Sequence, residues 1–392
     1  MQFKNVFARA IVTITAGLVA ALISLPAYAT IVSPTIQLKR VPEGGIQPQT
    51  AIGVSGTVHL VYFKGDPSGG DLFYAKSKDG WNFSSPIRVN SVPGTAIAVG
   101  NIRGPRIAVG RHDRVYIAWN GSLKAAGTNG GKSPMLFTRL NDAGTAFEPE
   151  RNLIRAAYGI DGGGGLAADQ RGNVYVFWHA PMPRTSGEEN RRVWMARSED
   201  DGKTFRPERI AWSEPTGACG CCSLSAFADK TGKVYVLFRS AQQMVHRNMY
   251  LLESNDHGNT FRGSDISNWT VGYCVMSTEA FTSDRDQVLA AWETEKKIQV
   301  GRVASNSANV AEVSLPDGGA NQKYPSLAAN RAGVVLVAWT EGMGWKRGGS
   351  LHWQLLDKSL RPTGKPGATD GVPAWSLDST YTTPKGNFVI LY

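Results

Sequence analysis

One short pattern recurs along the whole chain. Val58–Tyr62, Val115–Trp119, Val174–Trp178, Val234–Phe238, Val288–Trp292, Val335–Trp339 and Phe388–Tyr392 are five-residue runs, mostly β-branched or aliphatic, that end in an aromatic ring. The closing rings fall 47 to 60 residues apart. A fixed period of this size marks a stack of like supersecondary units, none able to bury its apolar face alone. Runs this short and this rich in Val, Ile and aromatic residues are buried strands rather than pieces of helix.

The neighbouring segments complete each unit. Arg106–Gly110, Gly165–Asp169, Ser225–Asp229 and Ser326–Asn330 each precede a polar turn and then a recurring run, which is the order of a hairpin. Asp71–Lys76, Met135–Arg139, Val193–Arg197 and Met249–Glu253 follow as third strands. A fourth strand makes each unit a four-stranded antiparallel meander of roughly 55 residues, the size of a propeller blade. The fold class is therefore all-β: a β-propeller, seven-bladed by repeat count. Ile36–Val41 is offered as the strand that closes the last blade. With 42% hydrophobic residues, 11 Trp, 12 Tyr and 14 Phe, the chain can bury a core and is not disordered.

The turns between third and fourth strands carry a more specific signal. Ser198–Phe205 and Ser254–Phe261 both read Ser-x-Asp-x-Gly-x-x-Phe, with Asp200 and Asp256 as the acidic residue. Asp142–Phe147 lacks the leading Ser, and Ser77–Phe83, containing Asp79, is one residue shorter. The carboxylate accepts turn N–H groups, Gly takes a positive φ, and the aromatic packs between sheets. These turns resemble the Asp boxes of the sialidase (neuraminidase) superfamily. The resemblance implies a β-propeller, six-bladed in most of that family, acting on or binding acidic glycans. It makes Asp79, Asp142, Asp200 and Asp256 scaffold.

The first 29 residues form a separate region. Lys4 and Arg9 precede the apolar run Ala10–Ile23, and Ala27–Ala29 supplies a small-x-small cleavage pattern. That is a secretory signal peptide, leaving 30–392 as a single propeller domain, exported to the periplasm or medium. The net charge is +10, or +8 once Lys4 and Arg9 leave with the leader, and in an exported chain this points to acidic glycans or glycoconjugates rather than nucleic acid. No transmembrane segment is expected in the mature chain, and a monomer is.

In a meander of this kind the long loops share one face with the start of each innermost strand. Ligands favour such converging loops. Arg106, Glu279, His179, Arg239 and Glu293 fall at that face by their offset from the strand-two aromatics. Sialidase chemistry uses an Arg cluster for a substrate carboxylate, a Tyr nucleophile activated by a Glu, and an Asp acid/base. By resemblance Tyr324 and Glu279 take the catalytic places, and Arg106, His179, Arg239 and Glu293 line the substrate. The expected Arg-Ile-Pro element is Ile46-Gln47-Pro48 here, so its arginine is missing.

The cysteines belong to no sialidase motif. Cys219, Cys221 and Cys222 precede the fourth inner strand and Cys274 the fifth, so all four gather on neighbouring blades. Export favours disulfides, with at least one bridge from the segment near residue 220 to Cys274. A soft-metal site for Cu(I), helped by Met276 and His246, is the alternative, with no metal ligand set assigned. Three functions follow: a sialidase-type exo-glycosidase, a non-catalytic glycan- or protein-binding propeller, and a periplasmic metal-handling protein.

Overall fold

The computed structural model describes Met1 and residues 34–285, 287–303, 313–315 and 321–392. The segment read from sequence as a signal peptide lies, beyond Met1, outside the described residues. Residues 34–392 form one compact unit.

Seven sheets make up that unit. Blade 1 runs Ile46–Ile52, Val58–Lys64, Asp71–Ser77 and Ile87–Arg88 from the inside outward, and five further four-stranded antiparallel meanders repeat the order. Their innermost strands are Arg106–Val109, Gly165–Ala168, Leu224–Ala228, Ala280–Asp284 and Gln322–Ala329. Ser379–Thr382 is the inner strand of blade 7 and neighbours both Gln322–Ala329 and Ile46–Ile52, which closes the ring. Ile36–Lys39 completes that last blade by pairing with Phe388–Leu391, in parallel register. The two ends of the propeller thus lock into one sheet.

The recurring strands hold the core. Trp119, Trp178, Trp292 and Trp339, each at the same place in its blade, are at most 1% exposed. Three of the four indoles find an acceptor: Trp119 donates to the Thr95 carbonyl at 3.3 Å, Trp178 to the Ala157 carbonyl at 3.1 Å and Trp339 to Glu341 at 2.8 Å. Among the described residues there is no α-helix, only 3-10 turns such as Pro42–Gly44. None of their helices is long and apolar enough to cross a membrane.

The acidic turns staple blade to blade. Asp200 accepts the Ser198 hydroxyl at 2.7 Å and the Thr204 amide at 2.9 Å; Asp256 does the same with Ser254 and Thr260 at 2.7 and 2.9 Å. Asp79 takes the Trp81 and Asn82 amides, both at 2.8 Å. The aromatic that each turn delivers then packs edge-on against the preceding blade: Phe205 on Phe137, Phe261 on Phe177, Phe147 on Tyr74, and Phe83 on Tyr381 across the closure. Blade 2 departs from the expected pattern. Asn141, not Asp142, accepts the Thr145 and Ala146 amides, while Asp142 points outward to Arg114. A neutral Asn amide oxygen accepts as well as a carboxylate, so the role moved one residue upstream.

Burial acts to raise the Asp256 carboxyl, but hydrogen bonds from Thr260, Ser254 and Asn259 outweigh it and take it down to about 2. A carboxyl depressed in the folded state stabilises above its unfolded value near 4 and loses that contribution as pH falls toward 2. Asp256→Ala is expected to cost about 1 to 2 kcal/mol at pH 7, with the gap from wild type closing between pH 4 and pH 2. Urea unfolding at several pH values reads both; a gap independent of pH would remove the electrostatic account.

Candidate functional site

The seven inner strands enclose a cavity of about 600 Å³ along the axis. Small residues dominate its wall because seven strands converge there. Ala108, Ala167, Ala168, Ala226 and Ala328 all line it. Against this neutral lining a few chemically capable groups stand out, and they come from neighbouring inner strands or the residues just before them.

Glu279 enters blade 5 and is 6% exposed, with neither carboxylate oxygen hydrogen-bonded. Burial pushes its carboxyl well above the usual range, the nearby Cys222 sulfur adds to that, and the Arg239 and Arg106 guanidiniums oppose it. Arg106 enters blade 2, donates Nε–H to the Gly164 carbonyl at 2.9 Å, and keeps a buried Nη2 without a partner. Burial brings it down to about 10, against the pull of Glu279. Asp378 precedes the inner strand of blade 7. It accepts the Ser326 hydroxyl on one oxygen, leaves the other unpartnered, and is raised by burial to about 7. Two carboxyl groups and a guanidinium with unused valences therefore line one cavity.

Tyr324 is a wall of this cavity and of a second one, about 260 Å³, above it. The phenol is 5% exposed, burial raises it, and no hydrogen bond joins it to Glu279 among the described residues. It packs with Ile102 and Leu377 instead. The second pocket is aromatic and cationic. Trp345 and Trp375 meet edge-to-face at 4.7 Å, Tyr273 adds a third ring, and Lys296 and Lys323 bring charge. Lys323 sits 3.2 Å from buried Glu293. Five non-glycine residues of this pocket, Asn101, Met276, Lys296, Tyr324 and Trp375, have φ between 49° and 65°. Left-handed backbone at ordinary side chains is costly and clusters where geometry serves a ligand.

Two residues read as ligand contacts lie elsewhere. His179 is 2% exposed between blades: its Nε2 donates to the Cys222 carbonyl at 3.1 Å and its Nδ1 accepts from Arg191 at 3.1 Å. Burial, then the Arg191 charge, takes it down to about 3, so it is neutral and structural. Arg239 turns away from the cavities, donating to the Arg247 carbonyl at 2.7 Å and to the Glu293 carbonyl, with its guanidinium 5.1 Å over Trp269.

The cysteines do gather. Cys221 and Cys274 are joined by a disulfide, Cα atoms 6.1 Å apart and 53 residues apart in sequence. Cys219 and Cys222 are free and buried. Sequence reasoning missed Asp378 and the glycines Gly162–Gly165. A Cβ on Gly162 would stand 1.8 Å from the Cys222 carbonyl oxygen, and one on Gly163 1.9 Å from that of Ile102. Four consecutive glycines were visible as a signal of close backbone approach.

No protein-family model matches the chain, nor does any curated protein sequence. Solved structures do. A protein of unknown function from Dyadobacter fermentans DSM 18053 is similar with a TM-score of 0.54 at 16% identity, over 79% of this chain and 94% of that one. The α-L-arabinofuranosidase Arb93A from Fusarium graminearum has a TM-score of 0.54 at 10% identity, over 83% and 98%. The Hadza microbial sialidase Hz136 has 0.51 at 13%, over 83% and 71%. Likeness at such identities speaks for the fold. In fold, then, the chain is a β-propeller of seven blades, similar to the solved structures of a sialidase and an arabinofuranosidase.

Proposed function

We propose that this chain is an exported glycoside hydrolase of the propeller type that takes an acidic glycan. The observation that carries the reading is the axial cavity, where Glu279, Asp378 and Arg106 keep buried polar atoms unpaired. A buried polar atom without a partner costs about 1 to 3 kcal/mol, and sugar hydroxyls would satisfy all three. Glycosidic hydrolysis uses a carboxylic acid to protonate the leaving oxygen and a second carboxyl group to meet the developing positive charge. Asp378, raised to about 7, suits the acid. Glu279 takes the second role in its ionised form, which the Arg239 and Arg106 guanidiniums favour. The Trp345–Trp375 pocket receives further sugar rings, and Lys296 and Lys323 favour an acidic one. A sialidase and an arabinofuranosidase among the similar structures support a glycan as the substrate class.

Export rests on the leader pattern ending at Ala29 and is supported by the Cys221–Cys274 bridge, which suits an oxidising compartment. A non-catalytic binding propeller is the second reading. It is favoured by the missing Tyr324–Glu279 hydrogen bond and by Arg239 facing carbonyls rather than the cavity.

A panel of fluorogenic sialosides, uronides and arabinosides separates the two. Wild type is expected to turn over an acidic member, with Glu279→Gln slower by about 100-fold or more. Binding of a panel glycan without turnover would favour the second reading.

A further inference from the structure

We infer that Cys219 and Cys222 together form a binding site for one Cu(I) ion, separate from the glycan cavity. The chain then has a metal-handling role beside its glycan role.

The site is built by a turn. Cys219–Cys222 folds back on itself, the Cys222 amide donating to the Cys219 carbonyl at 3.3 Å. The Cys219 amide is tied to the Arg239 carbonyl at 2.8 Å, and His179 holds the Cys222 carbonyl at 3.1 Å. The turn is pinned at both ends, and its sulfurs have little freedom. The Sγ atoms of Cys219, Cys221 and Cys222 all lie within 4.8 Å of one another, with Cys219 and Cys221 at 3.4 Å. A metal–thiolate bond is about 2.3 Å, so an ion between two sulfurs holds them at most about 4.6 Å apart. The turn already sets that spacing.

The donor set selects the metal. Sulfur alone, in low number, suits Cu(I); zinc wants four ligands in a tetrahedron. No imidazole or carboxylate joins the sulfur group among the described residues. His179 is the nearest imidazole by bonding, and both its ring nitrogens are engaged.

The surroundings fit the charge of the complex. Two thiols lose two protons on binding Cu(I), no electron moves, and the product carries one negative charge. Arg239 and Arg247 flank the thiols, are 1% and 4% exposed, and each has a buried Nε–H without an acceptor. Arg247 is balanced by Glu188 at 2.7 Å; Arg239 has no carboxylate partner among the described residues. A buried guanidinium without an ion pair of its own, whose field also reaches Glu279, therefore stands beside a site whose loaded form is a monoanion. Trp269 and Val275 close the remaining side with apolar surface, which keeps water and oxidants off the sulfurs. Cys221 is partly exposed and its bridge partner Cys274 exposed, so the sulfur cluster is reached from the surface on that side.

The test uses the full mature chain, anaerobic, titrated with Cu(I) against the chromogenic chelator bathocuproine disulfonate. The expected result is one equivalent of copper withheld from the chelator. Unloaded protein, once denatured, should show two alkylatable thiols. Cys219→Ser and Cys222→Ser each lose retention, while Cys221→Ser/Cys274→Ser keeps it. X-ray absorption of loaded wild type gives a readout that needs no variant, and sulfur-only neighbours are expected. Complete transfer of copper to the chelator overturns the proposal. So does an unloaded protein with no free thiol, meaning Cys219 and Cys222 are oxidised together, or an absorption spectrum with nitrogen or oxygen ligands. Equal retention of Zn(II) would overturn the assignment of the metal. Glycoside turnover is read separately, on unloaded wild type, and fails or succeeds on its own.

Discussion

Cys221→Ser/Cys274→Ser is expected to destabilise the propeller by about 4 kcal/mol, because the bridge closes a 53-residue loop whose freedom the unfolded chain then regains. The loop spans one whole blade, from the lead-in of blade 4 to the lead-in of blade 5. Inner strands at the axis are short: Leu224–Ala228 and Ala280–Asp284 are five residues each, so neither strand alone fixes its lead-in. The bridge does so at the face where the Tyr273–Met276 segment lines the aromatic pocket. Calorimetry should show a fall of roughly 8 to 16 °C in Tm, reproduced by reductant in wild type and absent from the double variant treated with reductant. Unchanged melting would mean that blade packing alone holds this boundary.

Gly162→Ala should be nearly as damaging from a single methyl group. Its Cβ would sit 1.8 Å from the Cys222 carbonyl oxygen and 2.8 Å from His179 Nε2. The first obstacle is backbone, pinned by its own hydrogen bonds, so it cannot swing aside as a surface side chain would. The Gly162 carbonyl is held in turn by Asn120 at 2.8 Å, which blocks retreat in the other direction. Overpacking of this kind costs about 3 kcal/mol, or roughly 6 to 12 °C in Tm. Alanine at Gly187, where a Cβ would meet only the far end of Glu189 at 3.9 Å, is the control for glycine removal as such, its φ of +85° giving the strain without the clash. If Gly162→Ala melts no lower than Gly187→Ala, close approach of blades 3 and 4 is not what the glycine run serves.

The blade architecture was legible because its determinant is local and repeated. A strand buried on both faces must be a continuous apolar run, and the same run recurs wherever a second strand is needed, down to Phe388–Leu391. Even the closure was readable, since Ile36–Lys39 had no blade of its own. What blurred was which of two adjacent side chains does a job. Asn141 and Asp142 are interchangeable as acceptors on paper, and only the turn's geometry chooses Asn141.

The site was less legible, because its chemistry depends on how far each group is buried and which way it faces. Arg106 and Glu279 were marked by their offset from the strand-two aromatics, and both line the axial cavity. His179 and Arg239 were marked by the same kind of argument, yet they sit at strand ends where the side chain turns between blades. Asp378 escaped notice because blade 7 was not carried through the same count. The offset applied from Tyr392 falls on Ser379, its immediate neighbour. The disulfide was foreseen as a link from the 220 region to Cys274, but spacing could not say which of three cysteines takes part.

The most direct test of the central claim, that the axial cavity is a glycosidase site with carboxyl groups as its working parts, is the pH dependence of glycoside turnover in wild type and Glu279→Gln. Asp378 must be protonated to donate to the leaving oxygen. Turnover of the acidic glycoside that wild type accepts is therefore predicted to fall as pH rises through about 7. Glu279→Gln, with the same shape and no ionisable group, is predicted to lose it at every pH. Turnover in Glu279→Gln equal to wild type, or no hydrolysis of any member of the panel between pH 4 and pH 8, would contradict the claim.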